Sequence, residues 1–350
     1  MDLLFVAAGV HPPWTEGRKN MVRDLSDELR SRGVGVRVIS GNGGPMSVAN
    51  LATVLWRLCH SLVAARPTHV IQFPFGRFSG VRGRINRVVA LCVRFVSGVA
   101  GVPLLTVIYS ADGIRLDRAR QLFGRLAAVG TETPGVSFLH LGVAPTAFAD
   151  DMESQDRLGD LLFLCGYQTP SKAAIEGVMN ERGLRHLLQA CGQIKRPLVL
   201  TIAVPFLRDS RARELIAQAA LDLCPNVTVR MDWSLQPAEA LRRHDLFVFP
   251  YLAEHQVFVS TALLEAMLIG TPVVATDRRM YRALTCPDGV PRCVLTRDDT
   301  ASALGDAIRD CLEALPEAHR QAMARSDEIR AGWSKARMAD DLLVALQARN

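Results

Sequence analysis

Lysine is scarce in this chain, and no block of five or six like charges occurs anywhere in it. Only four of its 41 basic residues are lysines, and the formal net charge is +6. Nucleic-acid binding is not expected without a basic cluster, because that cluster is the usual footprint of such proteins. An anionic small ligand or an acidic membrane surface explains the surplus at least as well, so peripheral membrane contact stays open.

Long apolar runs and paired cysteines are also missing. The longest apolar stretch, Val88 to Leu105, is interrupted by Arg94, Ser97 and two glycines, and no basic leader follows Met1. We therefore expect neither a membrane span nor a signal peptide. The eight cysteines occur singly, without a Cys-x-x-Cys pair, which is typical of reduced, buried thiols. Together these features predict a cytoplasmic protein.

The chain alternates between short apolar runs, which predict buried parallel strands, and segments with helical spacing of apolar residues. Strands are predicted at Leu3–Ala8, Val34–Ile39, His69–Phe73 and Pro103–Tyr109, and in a second series at Leu161–Gly166, Pro197–Val204, Asn226–Met231, Leu246–Pro250 and Pro272–Thr276. Helices are predicted at Arg18–Arg32, Val48–Ala65 and Arg84–Val99, and later at Arg182–Ile194, Ser210–Leu223, Pro237–His244 and Ser260–Ile269. This alternation predicts doubly wound α/β sheets.

The pattern restarts near Asp160, and 350 residues exceed the roughly 250 to 300 that one core serves well. We predict two Rossmann-like domains facing each other across a cleft. Their boundaries are an N-terminal domain at 1–145, a polar linker at 146–159, a C-terminal domain at 160–332, and a final helix at 333–350 that can cross back to the first domain. Ligands should bind at the carboxyl ends of the strands.

The loop after the first strand, "GVHPPWTEGRKN", ends at a predicted helix N-terminus. Gly17 would let the backbone approach a phosphate or a sugar, while the helix offers free N–H groups. A plain, rigid turn explains the loop equally well. Gly-x-Gly-x-x-Gly is absent, and Ser40 and Asn42 stand where a dinucleotide-binding domain would carry an acid. A Rossmann oxidoreductase is therefore disfavoured.

The most informative segment runs from Asp245 to Asp277. It contains a strand ending at Pro250, a loop with Glu254, a helix with Glu265, and the run "EAMLIGTPVVAT". This segment resembles the donor-binding stretch of retaining GT-B glycosyltransferases of glycosyltransferase family 4. The weaker motifs "VSFLHLGVAPTAF" and "DGVPRCVLTRDDTASALGDAI" extend the resemblance over nearly the whole chain, in the family's order.

The resemblance implies roles for several residues of this segment. Glu265 would hold the ribose of the nucleotide, and Ser260 and Thr261 would face the diphosphate at a helix N-terminus. Counting eight positions back from Glu265, where the family has its first acid, gives Val257, whereas counting from Pro250 gives Glu254. We prefer Glu254, because a carboxylate accepts hydrogen bonds from sugar hydroxyls and valine cannot. A solvated loop acid is the alternative.

The sequence also departs from the family pattern where the donor diphosphate would bind. The family has Gly-Arg followed by Lys-Gly, whereas this chain has Gly166 followed by Tyr167. Lys172 keeps the short spacing from Gly166, and Arg182 keeps the helix-opening context "RGLRHLLQA". We favour Lys172 and leave Arg182 open. The family's active-site His is replaced in "TVIYSADG" by Ile108 and Tyr109.

Loops of the N-terminal domain offer candidate acceptor contacts at His11, Trp14 and Tyr109, although Trp14 packed under a stiff turn is the plainer explanation.

The resemblance implies transfer of a sugar from a nucleotide-diphosphate sugar to an acceptor, with retention of anomeric configuration, in natural-product or polysaccharide biosynthesis. No cofactor or metal is required, and no Asp-x-Asp signature is present. The alternatives are a nucleotide-sugar epimerase, a phosphorylase, or a catalytically weak glycosyltransferase-like partner subunit.

Overall fold

The computed structural model describes residues 1–7, 17–40, 48–74, 80–108, 119, 122–129, 136–142, 159–167, 170–234, 237–252, 260–278 and 281–348. The chain divides into two compact units. The first unit is built from residues within 1–144 and 332–350, and the second from residues within 145–254 and 260–331. Among the described residues, no helix is both long and apolar enough to cross a membrane.

The first unit is a parallel sheet with helices packed against it. Its elements are β1 (Asp2–Ala7), α1 (Gly17–Ser31), β2 (Gly35–Ile39), α2 (Val48–Ala65), β3 (His69–Phe73), α3 (Gly80–Val99), β4 (Leu104–Ile108), β5 (Arg125–Val129) and β6 (Ser137–Leu139). The strand order is β2-β1-β3-β4-β5-β6, and neighbouring strands pair in parallel. Because both faces of the sheet are covered, β1 is a continuous buried run from Leu3 to Ala7.

The last helix of the chain, α12 (Lys335–Gln347), belongs to this first unit and packs against α1 and β6. Ser334 caps it by accepting a hydrogen bond from the backbone N–H of Arg337. The side chain of Asp341 accepts hydrogen bonds from His140, at 2.8 Å from the backbone nitrogen and 2.6 Å from Nδ1. Arg32, directly after α1, pairs with Asp340 at 2.5 Å. Polar contacts therefore attach α12 along its exposed edge.

The second unit repeats the plan. Its elements are β7 (Asp160–Leu164), α4 (Lys172–Glu176) continued by a π-helical turn (Gly177–Glu181), α5 (Leu184–Gln193), β8 (Val199–Ala203), α6 (Ser210–Leu223), β9 (Thr228–Asp232), α7 (Pro237–Arg243), β10 (Leu246–Phe249), α8 (Thr261–Ile269), β11 (Val273–Ala275), α9 (Arg282–Thr285), β12 (Val294–Leu295), α10 (Ala301–Glu313) and α11 (Leu315–Gly332). The parallel order is β12-β11-β10-β7-β8-β9.

The strand order of the second unit reverses direction beside β7. From β7 the chain moves outward to β8 and β9, and it then returns to place β10 on the other side of β7. Asp245 joins the amino ends of β7 and β10, because its buried carboxylate accepts hydrogen bonds from the N–H groups of Gly159 and Asp160. In open parallel sheets, the crevice at the carboxyl ends beside such a reversal is where ligands bind.

The prediction of two doubly wound α/β units is confirmed by these two six-stranded parallel sheets. The predicted helix Arg182–Ile194 begins later, at Leu184, because Gly183 has a left-handed backbone with φ of 72°. The segment from Lys172 to Glu181, for which the sequence analysis predicted no element, is helical.

Candidate functional site

Arg182 lies at the reversal point of the second sheet, between the carboxyl ends of β7 and β10. Its guanidinium carbon is 4.5 Å from the ring centroid of Tyr251, which follows β10, and 5.6 Å from that of Tyr167, which follows β7. The Tyr251 ring is itself stacked on Phe249 in β10, with centroids 3.7 Å apart. Arg182 is thus seated on an aromatic platform formed by the ends of two neighbouring strands.

Local backbone geometry brings Arg182 to this place. Its N–H donates to the carbonyl of Gly177 at 2.8 Å and closes the π-helical turn. The N–H of Leu252, beyond β10, donates to the carbonyl of Glu181 at 3.0 Å. A Cβ on Gly183 would lie only 1.8 Å from the carbonyl oxygen of Pro250. Glycine is therefore required at 183, both for its positive φ and for this close approach.

The charge of Arg182 has no acidic partner in the described part of the chain. Its Nε is buried and forms no hydrogen bond there, and the ion pairs found in the second unit join other cations to acids. Burial alone would lower the pKa of Arg182, but the neighbouring tyrosines and Cys165 outweigh burial and raise this pKa above its ordinary value. The site therefore holds a permanent, partly buried positive charge that suits an anionic ligand.

The chain beyond β10 is held rigidly from the neighbouring strand. The carbonyl of Tyr251 accepts hydrogen bonds from Thr276 Oγ1 at 2.6 Å and from Arg278 Nε at 3.1 Å. Arg278 is buried and also pairs with Asp299 at 2.9 Å. Arg278 was not among the predicted site residues, although its position three residues past the end of β11 is a signal that could have identified it. Its contacts indicate that it positions Tyr251 under Arg182.

The N-terminus of α8 opens toward the same edge of the sheet, because α8 connects the parallel strands β10 and β11. Ser260 is its N-cap residue, with extended backbone and no side-chain capping hydrogen bond, and Thr261 is the first helical residue. Free N–H groups of a helix start bind anions. Glu265 is partly buried, one turn into this helix.

Two other predicted donor-binding residues lie near the end of β7. Gly166 is exposed, and a Cβ there would meet no atom within 4 Å, so the fold itself does not require glycine at that position. The side chain of Lys172 is 91% exposed at the start of α4, where its Nζ lies 3.9 Å from Glu176. Arg182 and Gly166 therefore lie at the carboxyl edge of the sheet on which α8 begins, whereas the side chain of Lys172 is exposed to solvent.

Of the other predicted site residues, only Gly17 lies within the described ranges. Gly17 begins α1, which follows β1 and so starts at the carboxyl edge of the first sheet. His11, Trp14, Tyr109 and Glu254 lie outside the described residues. Within the described ranges, no group of three or more His, Cys, Asp or Glu side chains is arranged to hold a metal ion.

Comparison with known proteins places this geometry in context. Residues 173–314 match the family model described as glycosyl transferases group 1. No curated protein sequence matches the chain. Solved structures that resemble it include sucrose-phosphate synthase from Thermosynechococcus elongatus, with 14% identity, TM-score 0.70, and coverage of 99% of this chain and 98% of that one.

Two further neighbours contain bound nucleotides. HepE from Anabaena, in complex with UDP and glucose, has 14% identity and a TM-score of 0.67, and the match covers 100% of both chains. The catalytic domain of starch synthase IV from Arabidopsis thaliana, bound to ADP and acarbose, has 9% identity and a TM-score of 0.64, with coverage of 99% of each chain. At these identities the likeness establishes a shared two-unit fold over the whole chain.

Proposed function

We propose that this chain, a GT-B-fold glycosyltransferase of the group 1 type, moves a sugar from a nucleoside diphosphate sugar to an acceptor with retention of anomeric configuration. The donor nucleotide binds the second unit, at the carboxyl ends of β7 and β10. The observation that carries the proposal is the partly buried guanidinium of Arg182, which has no acidic partner among the described residues. The neighbours bound to UDP and to ADP support a nucleotide ligand.

In this proposal Arg182, rather than Lys172, neutralises the donor diphosphate. A guanidinium presents two parallel N–H groups to phosphate oxygens, and the two tyrosine rings fix its orientation before the ligand arrives. An ammonium group that is 91% exposed, as in Lys172, is screened by water and would have to be ordered on binding. Lys172 stays a prediction from residue spacing, and the geometry favours Arg182.

The start of α8 supplies the second source of positive potential. The N–H groups beyond Ser260 and Thr261 would donate to the β-phosphate, whose negative charge grows as the bond to the sugar breaks. Glu265, one turn along the same helix, would accept hydrogen bonds from the ribose hydroxyls. The exposed backbone at Gly166 leaves space for the diphosphate to approach β7.

The reaction needs stabilisation of the departing diphosphate more than it needs a protein nucleophile. Arg182 and the helix N-terminus provide this stabilisation in our proposal, which requires no metal ion. Glu254 would hold the hydroxyls of the transferred sugar, an assignment that depends on its distance from the end of β10. In the first unit, Gly17 is a proposed donor contact, and His11, Trp14 and Tyr109 are proposed acceptor-side contacts.

A panel of UDP, ADP, GDP and dTDP tests the proposal, with binding measured by thermal shift and calorimetry in the presence of a chelator. We expect selective stabilisation by one nucleotide, and slow release of sugar from the corresponding nucleotide sugar. The anomeric proton coupling of the first-formed product, followed by NMR, then reports retention or inversion. Failure to bind any of the four nucleotides would contradict the proposal. Binding without release or transfer of sugar from any donor would instead indicate a glycosyltransferase-like partner subunit.

A further inference from the structure

The positive charge of this protein is concentrated in one acid-free segment. Residues 29–111 contain ten arginines and neither aspartate nor glutamate, whereas the rest of the chain is net negative. The segment spans β2, α2, β3, α3 and β4 of the first unit. Eighty-three consecutive residues without an acid indicate a surface whose potential is positive over a wide area.

Two helices of this segment, α2 and α3, pack side by side on the same face of the first sheet. They contact each other, and residues of both share one buried cluster with β1 and β3, in which Leu58 on α2 and Val93 on α3 take part. Helix α1 packs instead with α12. The surfaces of α2 and α3 that point away from the sheet therefore form one continuous face.

This outer face carries large apolar side chains exposed to solvent. We define the α2–α3 outer face by Trp56, Val63, Val88, Leu91, Phe95 and Val99. Their spacing is seven residues on α2 and three, four and four residues on α3, so each set lies along one side of its helix. Trp56 is 67% exposed, Phe95 72% and Val99 75%. An apolar group of this kind on a folded protein usually marks an interaction surface.

Arginines border this apolar face. Arg57 and Arg94 are exposed and Arg87 is partly exposed, on the same two helices. The sequences of α2 and α3 contain no acidic residue at all. A face of large apolar and aromatic side chains, bordered by cations and without acids, matches the chemistry of an anionic bilayer. Acyl chains would contact the apolar side chains, and phosphate headgroups would contact the arginines.

We propose that the α2–α3 outer face docks this protein on the surface of membranes that contain anionic phospholipids. Trp56 and Phe95 would enter the boundary between headgroups and acyl chains, and the arginines would contact lipid phosphates. A nucleic-acid duplex would use the arginines but would leave the aliphatic side chains against water. The proposal does not depend on the glycosyltransferase activity.

The test is flotation of the full-length protein with vesicles of phosphatidylcholine alone, or with about one-third phosphatidylglycerol. We expect binding to the anionic vesicles only, weakened by added salt because surface charges are screened. The double substitution Trp56→Ser with Phe95→Ser should lower the partition coefficient by about tenfold or more, since it removes the inserting side chains. Arg87→Gln with Arg94→Gln should lower it by about fivefold for each arginine.

The matched control is Leu215→Ser with Leu221→Ser, which removes two exposed apolar side chains from α6 in the second unit. It should leave vesicle binding unchanged. Wild-type protein provides a check that needs no stable variant: brominated lipids should quench its tryptophan fluorescence. In the conservative variant Trp56→Phe, this quenching should be lost. Circular dichroism melting of each variant reports whether it is folded.

Four results would overturn the proposal. Wild-type protein that does not float with anionic vesicles would exclude docking. Equal binding by the Trp56 and Phe95 double variant, without quenching in the wild type, would exclude this face. A wild-type dimer that this double variant converts to a monomer, without vesicle binding, would assign the face to contact between copies. Binding of duplex DNA in place of vesicles would show that the arginines contact nucleic-acid phosphates instead of lipid phosphates.

Discussion

Replacing Arg182 by alanine should lower kcat/KM for the donor by roughly 10² to 10³, the usual cost of losing one preorganised group that stabilises developing charge. The structure supports the upper part of this range. The guanidinium is seated between Tyr167 and Tyr251, its Nε is buried, and no described acid neutralises it. Because the guanidinium is partly buried, its charge acts at a local dielectric lower than that of water.

Lys172→Ala should lower kcat/KM by less than about fivefold, since exposed charge pairs contribute at most about 1 kcal/mol. Arg182 lies ten positions further along the chain through this helical segment, a rise of roughly 15 Å. Lys172 therefore lies farther from a diphosphate at Arg182 than the Debye length of about 10 Å in dilute salt. At that distance its charge is largely screened.

The assay is steady-state kinetics with the nucleotide sugar that the binding panel identifies. Arg182→Lys keeps the charge but loses the planar fork, so it should recover only part of the activity. The matched control is Arg213→Ala, because Arg213 also lies over an aromatic ring, with 4.9 Å between its guanidinium carbon and the Trp233 centroid. It should leave kcat/KM unchanged. A larger loss from Lys172→Ala than from Arg182→Ala would refute the reasoning.

Three further predictions concern binding, backbone strain and pH. Glu265→Ala should weaken nucleoside diphosphate binding by about 1 to 3 kcal/mol in calorimetry, and unchanged affinity would contradict its ribose role. Gly183→Ala should destabilise the protein by roughly 2 to 4 kcal/mol more than Gly33→Ala in urea unfolding, because both have positive φ but only Gly183 abuts a carbonyl. Burial would raise the pKa of Asp341, but hydrogen bonds from His140 hold it below 3.8. Asp341→Asn should therefore lower the free energy of unfolding by about 1 to 2 kcal/mol at pH 7, and by less as the pH falls through the folded-state pKa of Asp341. A loss of stability that does not change with pH would exclude this linkage.

Hydrophobic periodicity was sufficient to predict the two sheets, since buried parallel strands are continuous apolar runs. The runs Leu3 to Ala7 and Leu161 to Leu164 are buried in strands that have a neighbouring strand on each side. Periodicity did not reveal the helix from Lys172 to Glu181, because Gly177 and Asn180 interrupt a short segment and its π-helical turn departs from the usual spacing. Helix ends depended on backbone conformations, such as that of Gly183, which sequence spacing does not encode.

The same helix explains why residue counting could not decide between Lys172 and Arg182. Counting from Gly166 treats distance along the chain as distance in space, and on that measure Lys172 is nearer to the end of β7. The helical segment from Lys172 to Glu181 leads the chain back to the strand ends, because its last turn lies beside β10, where the N–H of Leu252 bonds to the carbonyl of Glu181. The more distant residue in sequence is thereby placed at the reversal point between two strands. The order Arg-Gly at the opening of α5 points to Arg182, because a match of local sequence context does not depend on how many residues an insertion contains.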